Sequence, residues 1–139
     1  MRSNSRRVHI EWSDCDPAGI IFYPRYFAMF DASTTALIEA AFGMTKYRFL
    51  THYGFSGYAL VNTRAKFIQP VRFGDDVEVN STVIEVKRSS FSIEHRITHD
   101  GQAVCEGSET RVWVGRDPGV EALGAKPIPA EVVAKLLEG

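Results

Sequence analysis

The sequence predicts an α+β domain in which one long helix lies against a curled antiparallel sheet. The first indication is a helical hydrophobic period in the N-terminal third, and the second is a change to a period of two from Tyr58 onward. The third is size, because 139 residues, 45% of them hydrophobic and 24% charged, suffice for one domain with a core but not comfortably for two. We therefore expect a single domain over residues 1–139.

The N-terminal third is predicted to hold a short strand, a turn and the long helix. Val8–Trp12 alternates apolar and polar residues as a strand does, and Ser13–Gly19 consists largely of turn formers. A helix is predicted over Pro24–Phe42, because proline suits the first helical position and Gly43 suits the C-terminal stop. The apolar residues that recur at helical spacings are Phe27, Phe30, Leu37, Ile38, Ala41 and Phe42.

The remainder of the chain is predicted to be mainly sheet. Lys46–Gly57 is rich in aromatic residues and shows no assignable period. Short turns separate the last three of the later segments, which favours an antiparallel meander. Asp117–Pro129 is predicted to be a loop and Ala130–Leu137 a short terminal helix. The predicted strands are Ala59–Gln69, Asp76–Arg88, Ser90–Thr98 and Ala103–Gly115.

Composition and charge argue against several classes of function. The net charge of −1 creates no general field for nucleic acid or an anionic membrane, and no apolar run approaches the length of a membrane helix. The two cysteines, Cys15 and Cys105, form neither a disulfide framework nor a zinc-binding spacing. Met1–Arg7 is polar and basic with no apolar stretch after it, so we expect no secretory signal and a cytoplasmic location. Neither a P-loop nor a dinucleotide fingerprint is present, which argues against a nucleotide-driven enzyme.

The segment Asp14–Tyr26 carries the most specific motif. It reads DCDPAGIIFYPRY, which is a D-x-D-x-x-G pattern, a short apolar run, an aromatic residue and the start of the predicted helix. This segment resembles the active-site signature of the 4-hydroxybenzoyl-CoA thioesterase family, and weaker similarity continues to about Trp113. The weaker similarity includes Phe30–Ser33, Ala65–Phe67, Asp75–Val77 and Lys87–Phe91.

The resemblance implies a hot-dog fold, in which a five-stranded sheet wraps around the long helix and subunits pair into homodimers and usually homotetramers. It implies hydrolysis of an acyl-CoA thioester without a metal or redox cofactor. Short-chain acyl-CoA relatives have a histidine after the aromatic residue, and this sequence has Pro24 there, which favours an aryl-CoA substrate. Phenylacetyl, benzoyl, hydroxybenzoyl and medium aliphatic acyl groups all stay open.

Asp16 is the predicted catalytic carboxylate. It stands just before a helix N-terminus, where free N–H groups carry partial positive charge. The family match assigns the backbone N–H of Tyr23 to the thioester oxygen, and Gly19 allows the loop to turn tightly. Asp16 either attacks the carbonyl to give a mixed anhydride or deprotonates a water, and the sequence leaves both open. The alternative interpretation, that an aspartate here is only a turn or cap residue, is the one we favour for Asp14.

Asp31 and Tyr58 are candidates for contacts with the acyl group. Asp31 falls on or beside the apolar stripe of the predicted helix, where a carboxylate is costly unless it is hydrogen-bonded. It either orients a polar group of the acyl part or is satisfied by a dimer partner or a backbone group. By its position in the family pattern, Tyr58 lines the acyl pocket of a neighbouring subunit.

Lys87, Arg88 and Ser89 are the predicted contacts for the CoA phosphates, because a guanidinium and an ammonium suit phosphate oxygens. The alternative is a solvated turn. Arg64 and Lys66, on one strand face, form a second and weaker candidate.

The remaining chemistry-bearing side chains are expected to be structural. His95 and His99 alternate with apolar residues, which is typical of packed or interface histidines, and Cys15 has no histidine nearby in sequence to activate it.

Two competing functions remain after this comparison. A hydratase on the same fold pairs a histidine with an acidic residue across the helix, but the predicted helix contains no histidine. A non-catalytic hot-dog protein that binds acyl groups or assembles with a partner is the alternative from a different class, because fold alone does not establish catalysis. Asp16 distinguishes the two, since a binder has no need of a charge at the thioester carbon.

Overall fold

A long helix lies in the curl of an antiparallel sheet in the computed structural model, which describes all 139 residues. The main sheet has the strand order β1-β3-β4-β5-β2, and a sixth, two-residue strand pairs with β5. The helices are α1 (Pro24–Phe42), α2 (Lys46–Tyr53) and α3 (Ala130–Leu137). The strands are β1 (Ser3–His9), β2 (Gly57–Phe67), β3 (Asp76–Val86), β4 (Ser90–His99), β5 (Gln102–Gly115) and β6 (Gly124–Ala125).

Helix α1 has the predicted bounds, Pro24–Phe42. Proline occupies its first turn, and Gly43 ends it in the left-handed conformation with φ of 65°. The helix contacts both edge strands, β1 and β2, as well as β3 and β5, so the sheet must curve around it. Its buried residues are Tyr26, Met29, Phe30, Ser33, Thr34, Leu37, Ile38 and Ala41.

The core divides into two clusters along α1. One surrounds its N-terminal half and includes Phe30, and the other surrounds its C-terminal half and includes Trp113. Phe30 approaches the sheet so closely that a Cβ atom at Gly107 would lie 2.4 Å from the phenylalanine ring. The first cluster therefore requires glycine at that point of β5.

The first strand is present but begins and ends earlier than the predicted Val8–Trp12. The strand is Ser3–His9 and pairs with β3, whereas Trp12 begins a short 3-10 helix that ends at Asp14. Alternate residues of β1 are only half-buried, and one of them is Arg6, which donates to Ser33 at 2.7 Å. Because the inward positions include polar side chains, no hydrophobic period marks this strand.

The sequence patterns do not identify helix α2, although its ends are well marked. The Thr45 hydroxyl accepts a hydrogen bond from the N–H of Arg48, and Gly54 ends the helix with φ of 64°. The remaining differences are at strand ends and in the loop: β2 is Gly57–Phe67, β3 stops at Val86, and the predicted loop contains β6.

No helix combines the length and the apolar character needed to span a membrane.

Candidate active site

The loop that carries Asp16 is a tight turn closed by its own backbone. The N–H of Asp16 donates to Ile20 O at 3.0 Å, and the N–H of Gly19 donates to Asp16 O at 2.9 Å. Gly19 has φ of 79°, a conformation that other residues rarely adopt, which explains the glycine of the motif. The Asp16 side chain also contributes, because Oδ1 accepts a hydrogen bond from the N–H of Ala18 at 2.8 Å. One carboxylate oxygen thus stabilises the turn, and the other accepts no hydrogen bond from the protein.

The start of α1 offers one free donor. The N–H of Phe22 donates to Asp14 O at 2.8 Å, and that of Arg25 donates to Phe22 O at 2.8 Å. Pro24 has no N–H, and the N–H of Tyr26 donates to Tyr23 O at 3.1 Å. The N–H of Tyr23 donates to no protein acceptor, and it stands at the positive end of a 19-residue helix.

An apolar cavity of about 260 Å³ adjoins the helix start. Its aromatic members pack together, with the Tyr26 and Phe67 rings 5.4 Å apart and the Tyr23 and Phe67 rings 6.3 Å apart. Burial raises the pKa of Tyr26 to about 12, so its hydroxyl stays neutral and able to donate. The lining residues are Ile20, Ile21, Tyr23, Tyr26, Phe67, Ile68, Gln69 and Pro70.

Asp14 and Cys15 have structural roles in this loop. The Asp14 carboxylate accepts from the N–H of Glu11 at 2.9 Å and lies 3.9 Å from the Arg25 guanidinium. The Cys15 thiol lies 3.7 Å from the carbonyl oxygen of Glu11. Both arrangements agree with the interpretation favoured from the sequence.

The Asp31 carboxylate is hydrogen-bonded by Arg111, which no sequence motif identifies. Its Oδ1 accepts a hydrogen bond from Arg111 Nη2 at 2.7 Å, so neither a backbone group nor a dimer partner is needed. The Arg111 side chain is 6% exposed, whereas that of Asp31 is 57% exposed. One sequence feature could have identified this contact. Glu109 and Arg111 are two charges two residues apart, on a strand face whose other residues are largely apolar.

Arg111 belongs to a buried polar cluster beneath α1. Its Nη2 also donates to Glu109 at 2.5 Å, and Glu109 accepts from the Thr34 hydroxyl and lies 3.1 Å from His95 Nε2. Burial alone would raise the pKa of Glu109, but the hydrogen bonds from His95 and Thr34 and the charge of Arg111 outweigh it and lower that pKa. An ionised carboxylate only accepts hydrogen bonds, so His95 Nε2 carries the hydrogen.

His95 is packed, as the strand pattern predicted. It is fully buried, its Nδ1 lies 2.8 Å from the Ser81 hydroxyl, and its ring stacks on Phe30 with centroids 4.8 Å apart. The other predicted histidine, His99, lies at the end of β4 and is only half-buried, with Nε2 3.1 Å from Asp100.

Tyr58 does not line the apolar cavity of its own chain. It is 4% exposed in the cluster around the C-terminal half of α1, and its hydroxyl lies 3.3 Å from the Thr35 hydroxyl. Burial raises the pKa of Tyr58. A role in a neighbouring subunit stays a prediction.

The predicted phosphate contacts also lie far from the apolar cavity within one chain. Lys87, Arg88 and Ser89 form the turn between β3 and β4, where Lys87 lies 3.7 Å from Glu85. Val112 of β5 pairs with Ser90 beside this turn, and Cys105 pairs with Phe67 of the cavity. Seven residues of strand separate the two positions, which corresponds to roughly 23 Å.

The second phosphate candidate lines a larger groove on the other face of the sheet. Arg64 and Lys66 contribute to a polar cavity of about 340 Å³, where Arg64 Nε donates to the Ser108 hydroxyl at 3.2 Å. Glu94 and Glu106 line the same groove. This mixture of charges does not single out an anion as the occupant.

The chain is similar in sequence and in structure to known CoA thioesterases. The chain is 29% identical over 138 residues to the 4-hydroxybenzoyl-CoA thioesterase of Pseudomonas sp. strain CBS-3, which covers 95% of this chain and 96% of that protein. The solved structure of a 4-hydroxybenzoyl-CoA thioesterase from the same strain has a TM-score of 0.87 at 30% identity over 97% of this chain and 99% of that one. A gentisyl-coenzyme A thioesterase structure has a TM-score of 0.82 at 26% identity over 97% and 100% of the two chains.

These similarities confirm the hot-dog fold that the sequence motif implied. The family model for the thioesterase-like superfamily matches residues 10–136. This match includes the Asp16 loop, the whole of α1 and every strand of the main sheet except β1. Since it covers most of the chain, the chain belongs to the thioesterase-like superfamily.

Proposed function

We propose that the protein hydrolyses an aryl-CoA thioester such as 4-hydroxybenzoyl-CoA. The observation that carries the proposal is the free N–H of Tyr23, which stands at the positive end of α1, on a residue that lines the apolar cavity and lies seven residues after Asp16. An oxyanion donor, a carboxylate and an acyl cavity are the three parts that thioester hydrolysis requires.

In the proposed reaction the thioester oxygen accepts a hydrogen bond from the N–H of Tyr23. One such donor typically contributes about 3 kcal/mol of transition-state stabilisation, because it strengthens as negative charge develops on the oxygen. In the nucleophilic route an Asp16 oxygen attacks the carbonyl carbon, the C–S bond breaks, and the CoA thiolate leaves and is protonated. Water then opens the mixed anhydride to release the acid and regenerate Asp16. In the general-base route Asp16 takes a proton from the water that attacks the carbonyl directly; the C–S bond then breaks, and the leaving CoA thiolate takes up that proton, which regenerates the carboxylate.

An aromatic acyl group suits the cavity, since three of its lining residues present aromatic rings and only Gln69 carries an amide. The names of the relatives point to the same class, because 4-hydroxybenzoyl and gentisyl groups are both hydroxylated aromatic acyl groups. We therefore place the acyl ring against Tyr23, Tyr26 and Phe67.

We further propose that the active protein is a homodimer, or a homotetramer built from such dimers, paired through β2. This strand forms one edge of the main sheet, and its Leu60 and Val61 side chains are 45% and 58% exposed. Pairing two copies of β2 antiparallel about a two-fold axis would continue the sheet and cover that edge.

This pairing explains why the predicted site residues are dispersed in one chain. Phe67 marks the cavity end of β2, whereas Tyr58 marks the other end. Val112 pairs with both Ala59 and Ser90, so the turn with the predicted phosphate contacts also lies at the Tyr58 end. Antiparallel pairing sets the Tyr58 end of one copy beside the cavity end of the other. The acyl and phosphate contacts would then come from the second copy.

A non-catalytic acyl-binding protein is the second candidate. The observation in its favour is the hydrogen bond from Ala18 to Asp16 Oδ1, which gives this carboxylate a structural role without catalysis. In this case the cavity binds an acyl group and Asp16 merely closes the loop.

An assay of free thiol release from aryl- and alkyl-CoA esters, with Asp16→Asn alongside, tests the two candidates. Asparagine keeps the oxygen that accepts from Ala18 and removes only the charge, so the loop is preserved. We expect hydrolysis to fall by at least several hundred-fold. The matched control is Asp100→Asn on an exposed turn with φ of 49°, a conformation that asparagine tolerates, and it should keep full activity.

Unchanged hydrolysis in the Asp16→Asn variant would refute the catalytic assignment. Tight CoA binding by the wild-type protein without turnover of any ester would support the binding protein instead.

A further inference from the structure

The buried polar cluster beneath α1 has no part in the proposed bond-breaking steps. Glu109 is 1% exposed, Arg111 is 5% exposed and His95 is fully buried. Buried charges of this kind are costly in a core, and replacing them by apolar residues is often neutral or stabilising. Their presence beneath the central helix therefore calls for a role beyond packing.

The cluster reaches the surface at a single carboxylate. Arg111 Nη2 donates both to Glu109 inside the core, at 2.5 Å, and to Asp31 Oδ1 at the helix surface, at 2.7 Å. Glu109 is held in turn by Thr34 and His95, and His95 is held by Ser81. The contacts thus run from β3 and β4 through β5 to the exposed side of α1.

The contact with Arg111 leaves Asp31 able to bind a ligand. Arg111 binds only one of the two carboxylate oxygens of Asp31, and 57% of the Asp31 side chain is exposed. The second oxygen accepts no hydrogen bond from the protein and is therefore available as an acceptor. A carboxylate held in this way suits a hydroxyl donor on a ligand and offers nothing to an unsubstituted ring.

The position along α1 determines which ligand this is. Asp31 lies eight residues, or about 12 Å along the axis, beyond Tyr23, which is too far for one ring to span both in the same chain. It lies near the Tyr58 end of β2, since Tyr58 contacts Thr35 one turn further along α1. In the proposed dimer this end meets the cavity of the other copy.

We propose that Arg111 is a positioning residue, which holds Asp31 against the buried Glu109–His95 pair and thereby makes the protein selective for acyl groups that carry a hydroxyl on the ring. The inference rests on the proposed function and on pairing through β2. Arg111 itself does not touch the substrate, and its effect reaches the acyl group through Asp31.

The test is the ratio of kcat/KM for 4-hydroxybenzoyl-CoA to that for benzoyl-CoA, because a merely structural residue would change both values by the same factor. Arg111→Met alone would leave the Glu109 carboxylate buried without its positive partner, so the variant is Arg111→Met combined with Glu109→Gln, which removes both charges. Arg111→Lys is the conservative variant, since an ammonium is still able to donate to two carboxylates. The matched control is Arg2→Met with Glu138→Gln, an ion pair 2.8 Å apart between the two ends of the chain.

We expect the ratio to fall at least tenfold in the double variant, with kcat/KM for benzoyl-CoA within threefold of the wild type. Arg111→Lys should recover part of the ratio, and the control pair should leave it unchanged. Asp31→Asn should lower the ratio to a similar extent, and adding it to the double variant should lower it no further.

A wild-type ratio near one, or equal losses for both esters in the double variant, would overturn the inference while leaving the proposed function intact. Absence of turnover of every ester by the wild-type protein would refute the proposed function and the inference together.

Discussion

Replacing Gly107 by alanine tests the packing that supports both the core and the buried cluster. The added Cβ would lie 2.4 Å from Phe30 Cε2 and 2.5 Å from the backbone oxygen of Arg64. The first distance is 1.0 Å shorter than the 3.4 Å at which ordinary contact begins. The ring has little room to retreat, because Phe30 is fully buried and stacks on His95 with centroids 4.8 Å apart.

Overpacking of this kind typically costs 1–3 kcal/mol, and here both a wedged ring and a backbone carbonyl must move, so we expect about 3 kcal/mol. Urea unfolding of the wild-type protein and of Gly107→Ala, followed by tryptophan fluorescence, measures the difference. A loss below about 1 kcal/mol would refute the close approach of Phe30 to β5. The control is Gly57→Ala at the start of β2, where no atom lies within 4 Å of the added Cβ and φ is not positive. It should be neutral or slightly stabilising, because alanine restricts the unfolded chain.

Two further predictions concern the buried carboxylate and the sheet edge. The pKa of Glu109 is lowered below the ordinary 4.5, so its stabilising effect is present above that pH and is lost as the pH falls through the folded-state value. The free energies of unfolding of wild type and Glu109→Gln should therefore converge on acidification from pH 7 to pH 3, and a difference that stays constant would contradict the ionised, hydrogen-bonded state. Val61→Lys places a charge on the exposed face of β2 and should convert the proposed dimer to monomer in sedimentation velocity, with loss of most of the hydrolysis if the site needs both copies. A dimer that persists unchanged would argue against pairing through β2.

The sequence alone was sufficient for the features that depend on neighbouring residues. The bounds of α1 follow from a proline and a glycine at its ends, and the meander from β3 to β5 follows from alternation between short turns. Gly19 was assigned to a tight turn, and its φ of 79° agrees. The motif around Asp16 was also recognisable, because the loop and the helix start are contiguous in the chain.

Features that depend on the tertiary environment were missed or stayed open. Strand β1 has no apolar alternation, because polar residues occupy two of its three inward positions, and one of them, Arg6, donates a hydrogen bond to Ser33 of α1. Helix α2 is buried mainly through Phe49, so its one-sided packing left too weak a period to recognise.

The site shows the same division between chain-local and tertiary information. The family resemblance pairs Asp16 with Tyr23, which lie seven residues apart in one segment of the chain, whereas the partner of Asp31 lies 80 residues away on β5. No local pattern identifies such a contact, since the curvature of the sheet around α1 decides which strand faces the carboxylate. The sequence therefore determined the helix, the meander and the motif, and only the tertiary structure decided that Arg111 holds Asp31 and that the predicted phosphate turn lies at the far end of the sheet. The physical reason is that hydrophobic period and turn chemistry act between near neighbours, while buried charges are paired by the folding of distant strands.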